Sequence, residues 1–375
     1  MSFFQNHSRW PLVPLKSIAT LKRGYDLPVG ARNEGAVPIY AANGRNGTHD
    51  EMKIKGPGVI TGRSGTIGKV HYCEEGYWPL NTALYVMDFH GNHPRWVYYM
   101  LSNFKLERFS EGAGVPTLNR NLVHDELIPL PPLSEQKRIA AILDKADAIR
   151  HKRQQAIQLA DDFLHAVFED MFGDPVNNPK GFPIGTIRDL VATADYGTSA
   201  KASEAYGEYP ILRMGNVTYQ GRIDLKDLKY IDLEGRDQSK YLARKGDLLF
   251  NRTNSKELVG KTAVYDMDDP VAIAGYLIRV RPNERGNSYY ISGYLNSTHG
   301  KATLKSVCKS IIGMANINAQ EMQNIPIMLP PAEMQRRYQE LVVATRCGLI
   351  KINSSLKVVE ELFSSLSHKC LSGRI

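Results

Sequence analysis

A single long helical pattern extends from Leu130 to Gly173. The prolines that open this stretch exclude a helix before them, Ser134 is a suitable N-cap, and Gly173 ends the pattern. We expect a helix from Ser134 to Met171, roughly 57 Å long at about 1.5 Å per residue. Apolar residues along this helix alternate three and four positions apart and form a stripe that needs a packing partner. They are Ile139, Ile142, Ala146, Ile149, Ala156, Ala160, Phe163 and Val167.

A second copy of this pattern lies near the C-terminal end of the sequence. Leu130-Pro131-Pro132 matches Leu329-Pro330-Pro331, and Gln136-Lys137-Arg138 matches Gln335-Arg336-Arg337 at the same offset. A constant offset marks an internal repeat. We therefore expect a second helix, Glu333 to Cys370, that pairs antiparallel with the first in a coiled coil along the seam Ile352, Leu356, Val359, Phe363, Leu366 and Cys370.

The regions that precede the two helices repeat as well. Trp10–Leu15 is similar to Phe182–Ile187, and Leu118-Asn119 is similar to Ile317-Asn318 at a larger offset. Because insertions belong in loops, the two regions should share a frame and differ at the surface. Both contain short β-type runs, at Pro57–Thr61, Gly68–Tyr72, Ala83–Val86, Asp247–Asn251, Thr262–Tyr265 and Tyr276–Val280, and a short helix near Arg95–Asn103 or Ser288–Ser297.

These patterns predict an α+β fold in which two mixed α/β regions are separated by a long antiparallel two-helix coiled coil. Each region should hold a mostly antiparallel or mixed sheet. The expected segments are a first region (1–133), a central spacer helix (134–173), a linker (174–181), a second region (182–331) and a C-terminal spacer helix (332–375).

The composition favours a polyanionic partner. The net charge is +8 with an isoelectric point near 9.1, and 42% hydrophobic residues indicate a folded chain. The four cysteines form no CxxC pair, and His90 and His93 lack a third nearby ligand, so we expect no disulfide framework and no metal site. No signal peptide or long apolar run is present, which favours a cytoplasmic protein.

Two stretches are similar to nucleotide-binding loops but fail the pattern. In residues 62–69, Arg63 stands where a glycine is required and Val70 replaces the magnesium-binding hydroxyl. In residues 255–262, Ser255 replaces the first glycine and Thr262 leads into a β-type run. We therefore expect no nucleotide site in either stretch.

The segments LPPLSEQKRIAAILDKAD, DMFGDP, VNNPKGFPI, PIYAANGRNGTHDE, GPGVITGRSGTIGKVHY and WPLNTALYV resemble the specificity (S) subunit of type I restriction-modification enzymes. The order of region, long helix, region and long helix extends this resemblance over essentially the whole chain. The second helix departs from it at its start, with Ala332-Glu333-Met334 where the first has Leu133-Ser134-Glu135. This departure weakens the helix cap and leaves the register intact.

The resemblance implies two target recognition domains, each of which reads one half of a split double-stranded DNA target, with the helices as a spacer. It implies two methyltransferase (M) subunits that use S-adenosylmethionine on adenine, and restriction/translocase (R) subunits that use ATP and Mg²⁺, in a phage-defence system. This chain would be non-catalytic, hold no cofactor and contact no membrane. A coiled-coil assembly scaffold and a DNA-processing enzyme of unrecognised mechanism remain the alternatives.

Side chains suited to DNA lie in glycine-rich loops of both regions. Arginine can grip guanine and asparagine can grip adenine, whereas lysine and threonine more often position phosphates. Because the two sets of loops differ, we expect a bipartite, asymmetric target. The candidates are Asn43, Arg45, Asn46, Arg63, Ser64, Thr66, Lys69 and Asn81 in the first region, and Arg213, Asn216, Tyr219, Arg252, Thr253, Asn254, Lys256 and Lys261 in the second.

Overall fold

The computed structural model describes residues 3–112, 114–311 and 314–375, without the side chains of 310, 311, 351 and 353–357. Two compact units divide the chain. Unit 1 is Met1–Gln154 with Ser354–Ile375, and unit 2 is Gln155–Asn353. Each unit contains one globular region and part of both long helices, whereas the segment boundaries expected from the sequence stay a prediction. Within the described residues, no helix is both long and apolar enough to span a membrane.

The first region is built from short strands and two helices, and a long helix follows it. The strands are β1 (Leu12–Pro14), β2 (Thr20–Arg23), β3 (Val37–Ala41), β4 (Gly44–His49), β5 (Gly58–Gly62), β6 (Val70–Cys73), β7 (Trp78–Pro79), β8 (Ala83–Asp88), β9 (Ser110–Glu111), β10 (Thr117–Leu118) and β11 (Leu127–Pro129). The helices are α1 (Pro94–Ser102), α2 (Arg120–His124) and the long α3 (Leu133–Phe172).

The second region repeats this order with additions. Its strands are β12 (Ile184–Thr186), β13 (Val191–Tyr196), β14 (Tyr209–Leu212), β15 (Lys229–Ile231), β16 (Leu242–Ala243), β17 (Leu248–Asn251), β18 (Thr253–Asn254), β19 (Thr262–Val264), β20 (Val271–Ile273), β21 (Leu277–Pro282), β22 (Lys309–Ile311), β23 (Met314–Asn316) and β24 (Pro326–Met328). Its helices are α4 (Gly235–Tyr241), α5 (Ser288–Asn296), α6 (Thr298–Val307), α7 (Ala319–Gln323) and the long α8 (Ala332–Leu371).

The sheets confirm that the two regions share one frame. An antiparallel sheet in the order β2-β8-β5-β6 corresponds to one in the order β13-β21-β17-β19. A mixed sheet, β4-β3-β7, corresponds to β15-β14-β20-β16, and each has one parallel pair, β3 with β7 and β14 with β20. The strand pairs β1·β11 and β12·β24 close each region just before its long helix.

The contacts within each unit confirm that the long helices pair antiparallel. In unit 1, Ile139 and Leu143 near the start of α3 share a core with Cys370 and Leu371 at the end of α8. In unit 2, Phe168 near the end of α3 packs edge-on against Tyr338 near the start of α8, with ring centroids 5.5 Å apart. Opposite ends therefore meet in both units. The seam residue Leu356 has a side chain outside the described set.

Both helices begin one residue earlier than expected, so the assignment of Ser134 as N-cap is wrong. The carbonyl of Pro132 accepts from the N–H groups of Glu135 and Gln136, both at 2.9 Å, and that of Pro331 accepts from those of Met334 and Gln335, at 3.0 and 3.3 Å. A proline already has the backbone φ that a helix start needs, and its own missing N–H costs nothing there. The repeated prolines therefore define both helix starts.

A buried glutamine fixes each helix start to its region. Gln136 accepts from the N–H of His93 at 2.8 Å and donates to the carbonyl of Pro131 at 3.0 Å. The matching Gln335 donates to the carbonyls of Arg285 and Pro330, at 3.0 and 2.9 Å. Both side chains are almost fully buried. The repeated sequence motif therefore has a repeated packing role.

Candidate nucleic-acid interface

Two loops that hold most of the candidate residues occupy equivalent positions in the two regions. The first loop, residues 63–69, follows β5, and the second loop, residues 252–261, follows β17. The N–H of Arg63 donates to the carbonyl of Thr82 at 2.8 Å, and the N–H of Arg252 donates to the carbonyl of Tyr276 at 3.0 Å. Each arginine is thus tied to the residue just before the neighbouring strand, β8 or β21.

The same equivalence holds for the rest of each loop. The carbonyls of Arg63 and Arg252 accept from the N–H groups of Leu118 and Ile317, at 2.8 and 2.9 Å. Both loops end in glycine and lysine, Gly68-Lys69 and Gly260-Lys261, and both glycines have a positive φ, +94° and +80°. Each region therefore presents an arginine at the start and a lysine at the end of one rigidly anchored loop.

The first loop is held by Asn81 and by close backbone packing. The Nε of Arg63 donates to the carbonyl of Asn81 at 2.9 Å, and the amide of Asn81 donates to the carboxylate of Asp26. A Cβ on Gly62 would lie 1.7 Å from the carbonyl oxygen of Thr66 and 3.1 Å from that of Ala42. Only glycine permits this approach, which places the β3–β4 turn beside the first loop.

The β3–β4 turn supplies further exposed polar groups. Asn43, Arg45 and Asn46 are all exposed, and Arg32 steadies the turn by donating to the carbonyl and side-chain oxygens of Asn46, at 3.0 and 2.9 Å. In the first loop, Lys69 is exposed, and Arg63, Ser64 and Thr66 are partly exposed. In the first region, the backbone of the β3–β4 turn therefore lies next to the backbone of the first loop.

The second loop has its arginine held against an aromatic ring. The guanidinium of Arg252 lies 4.8 Å from the ring centroid of Tyr196, and its Nη2 donates to Asn316 at 3.4 Å. Asn254 is partly exposed and Lys256 is exposed, whereas Thr253 is buried in the strand pair β18·β23. Thr253 therefore packs inside the fold instead of lying on the surface of this loop.

Part of the second loop lines a cleft of about 540 Å³. Arg213, Asn216, Asn254 and Lys261 all border this cleft. Asn216 is buried, and its amide donates to the carbonyls of Asp224 and Lys226, so it shapes the cleft. The ammonium of Lys261 donates to the carbonyl of Met214 at 3.0 Å, and burial lowers its pKa.

Tyr219 lies on a different concavity of the same unit. Its ring is exposed, and the Nζ of Lys301 lies 3.7 Å from the ring centroid. The concavity measures about 470 Å³ and is also lined by Lys305 and His165. Burial is the main cause that lowers the pKa of Lys301. The lysines come from α6, a helix that the sequence patterns did not predict.

Sequence reasoning also missed residues beside the 540 Å³ cleft. A second cleft of about 670 Å³ shares Arg213 and Tyr276 with it and adds Lys201 and Lys229. Tyr276 is 49% exposed. Its position at the start of a β-type run indicated a strand, and only the folded chain shows that it lies between two clefts.

The described residues contain no group of three or more histidines, cysteines or acidic residues that could hold a metal ion. The stretch most similar to a nucleotide loop continues from Lys261 into strand β19 at Thr262, as the sequence predicted. A phosphate-binding loop would continue into a helix there.

The sequence profile described as the type I restriction modification DNA specificity domain matches residues 7–159 and 179–341. The EcoKI specificity subunit of Escherichia coli K12 is 23% identical over 418 residues, which cover 98% of this chain and 89% of that protein. The StySPI specificity subunit of Salmonella potsdam is 24% identical over 289 residues, 72% of this chain and 62% of that protein. The fold is similar to the crystal structure of the type I S subunit from M. genitalium, with a TM-score of 0.64 at 15% identity over 99% of both chains.

Proposed function

This chain belongs to the type I restriction-modification DNA specificity family, and we propose that its two regions read the two halves of a split DNA target. The observation that carries the proposal is the equivalence of the first and second loops. Arg63 and Arg252 share the same backbone hydrogen bonds on corresponding strands. The same scaffold thus occurs twice and presents two arginine-bearing loops, one for each half of the target.

The chemistry of the loops fits base and phosphate contacts. An arginine fork can donate two hydrogen bonds to the O6 and N7 of guanine, and an asparagine can pair with adenine. Lys69 and Lys261, at the far end of each loop, suit phosphate contacts. Between these fixed ends the loops differ: the first holds Ser64 and Thr66, and the second holds Asn254 and Lys256. Different side chains read different bases, so the target is bipartite and asymmetric.

Methyl transfer and cleavage belong, in this proposal, to partner subunits rather than to this chain, which acts in the cytoplasm without a cofactor of its own. Two M subunits would carry S-adenosylmethionine for adenine methylation, and R subunits would use ATP and Mg²⁺. The repeat supports the number of M subunits, since the proline junction and the buried glutamine occur in both units. Native mass spectrometry of the reconstituted complex should give two M subunits per chain; a one-to-one complex at saturating M subunit would contradict this.

Selection from a random duplex library tests the reading function. The full chain, alone and assembled with its M subunits, should enrich two short, different sequences at a fixed separation. A scaffold would enrich no sequence, and a DNA-processing enzyme would alter the duplex without M subunits. Either outcome would overturn the proposal.

A further inference from the structure

Tyr276 is the exposed aromatic residue that lies between the two clefts beside the second loop. We propose that its ring packs against the 5-methyl group of a thymine and so determines specificity in the half-site that the second loop reads. The inference rests on the proposed function, because it assumes that the second loop meets DNA. Tyr276, which is 49% exposed, and Arg213 line both clefts, of about 540 and 670 Å³.

The backbone of Tyr276 is tied to the second loop. Its carbonyl accepts the N–H of Arg252 at 3.0 Å, and Asn254 and Lys261 of the same loop line the 540 Å³ cleft that Tyr276 borders. Strand β21 follows Tyr276 directly and is buried from Leu277 through Val280. This buried strand anchors the β20–β21 turn in which Tyr276 lies. The position of the ring is therefore set by the same scaffold as that of the arginine.

The equivalent residue in the first region is Thr82. Its carbonyl accepts the N–H groups of Arg63 and Ser64, at 2.8 and 3.1 Å, in the place where Tyr276 accepts from Arg252. The two regions thus differ at this matched position as well as within their loops. The second region has a large aromatic ring there, and the first has a small hydroxyl-bearing side chain. A difference at a matched position next to the arginine is the kind of change that alters a half-site.

The charges around Tyr276 suit a polyanion. Five cationic side chains and two carboxylates line the two clefts, and one of the cations, Lys229, is paired with Glu204 at 2.9 Å. The cations are Lys201, Arg213, Lys226, Lys229 and Lys261, and the carboxylates are Asp224 and Asp227.

The proposed contact follows from the chemistry of the major groove. There the thymine methyl is the apolar group on a base edge, and an exposed ring is the matching apolar surface. Burial of one methyl-sized group, at about 0.8 kcal/mol, corresponds to a roughly fourfold change in affinity. Loss of the contact should therefore weaken binding by about that factor.

Replacement of thymine by uracil removes only this methyl group and gives a direct test. The full chain assembled with its M subunits is titrated with duplexes that carry uracil at one thymine position at a time. The wild-type complex should lose about fourfold in affinity at one position of the second half-site. The Tyr276→Thr variant, which installs the residue of the first region, should bind the thymine duplex about fourfold more weakly and lose its response to uracil there.

Two further variants complete the test. Tyr276→Phe keeps the ring and should keep the uracil response, whereas Tyr206→Thr removes an exposed tyrosine of the same unit that lies outside both clefts and should change nothing. Amide-exchange protection of unit 2 checks that each variant is folded, and responses to uracil in the first half-site should remain those of the wild type.

An unchanged uracil profile in Tyr276→Thr, or a second half-site with no thymine on either strand, overturns this inference and leaves the proposed function standing. A wild-type complex with no bipartite preference overturns the proposed function itself.

Discussion

Replacement of Gln136 by leucine should destabilise unit 1 through unpaired buried groups. Its side chain is 2% exposed and makes hydrogen bonds to His93, Asn92 and Pro131. Gln136→Leu keeps a similar volume but leaves the N–H of His93 and the carbonyl of Pro131 without partners. At about 1–3 kcal/mol for each of these two buried groups, the expected cost is about 2–6 kcal/mol.

The repeat supplies a matched control, Gln335→Leu, for which the same reasoning gives a smaller cost. This change leaves the carbonyls of Arg285 and Pro330 unpaired. It also removes the Oε1 of Gln335, which is buried without a hydrogen-bond partner among the described residues, and so relieves an existing penalty. The net cost should be about 1–3 kcal/mol.

The tryptophans allow unit 1 to be followed separately during urea unfolding. Trp10, Trp78 and Trp96 all belong to unit 1, so their fluorescence reports its transition. With a urea slope of about 1–3 kcal/mol per molar, Gln136→Leu should lower the fluorescence midpoint by about 1–2 M. Gln335→Leu should leave that midpoint close to wild type and reduce amide-exchange protection in unit 2.

A result in which the two variants cost the same, or in which Gln335→Leu costs more, would refute the reasoning from unpaired groups. A fluorescence midpoint unchanged in Gln136→Leu would refute it as well.

Three other changes have definite expected outcomes. Gly62→Ala puts a Cβ against the carbonyl of Thr66 and should weaken reading of the first half-site, while Gly30→Ala, which meets nothing within 4 Å, should not; methylation mapping decides between them. Phe172→Ala, at a fully buried ring, should cost unit 2 about 3–5 kcal/mol, measured by amide exchange in unit 2. Stability of unit 1 should fall as the pH drops below about 6.5. Burial is the largest cause that lowers the pKa of His71, His93 and His124, so the folded state favours their neutral forms. Tryptophan-detected unfolding at pH 7 and pH 5 checks this.

The sequence predicted the long helices to within a residue because their ends are marked by strong signals. Prolines stand before Leu133 and Ala332, and Gly173 follows α3 with a positive φ. The β-type runs were also placed to within two residues, since alternating apolar residues between glycines leave few other choices. The strand pairs β1·β11 and β12·β24 were not predicted, because their partners lie far apart along the chain.

The candidate site was only partly visible in the sequence. The sequence identifies Arg63 and Arg252 as arginines in glycine-rich loops, but their equivalence depends on strand register that unequal insertions hide. Asn216 has the right chemistry for a base contact, yet its amide holds loop carbonyls. Tyr276 was assigned to a strand by its type. Exposure and hydrogen-bond partners, which only the folded chain reveals, separate these cases.

The central claim is that two equivalent loops read two different half-sites. Arg63→Ala and Arg252→Ala are placed separately in the full chain, the complex is assembled with its M subunits, and methylated sites are mapped. Arg236→Ala serves as control, because it removes an exposed guanidinium of unit 2 outside both clefts.

Each of the two loop variants should relax or lose recognition in one half-site only, and the two variants should affect opposite halves. A lost guanine contact costs about 1–3 kcal/mol, enough to make the change visible at single positions. Changes by both variants in the same half, equal changes in both halves, or a continuous palindromic target would contradict the account.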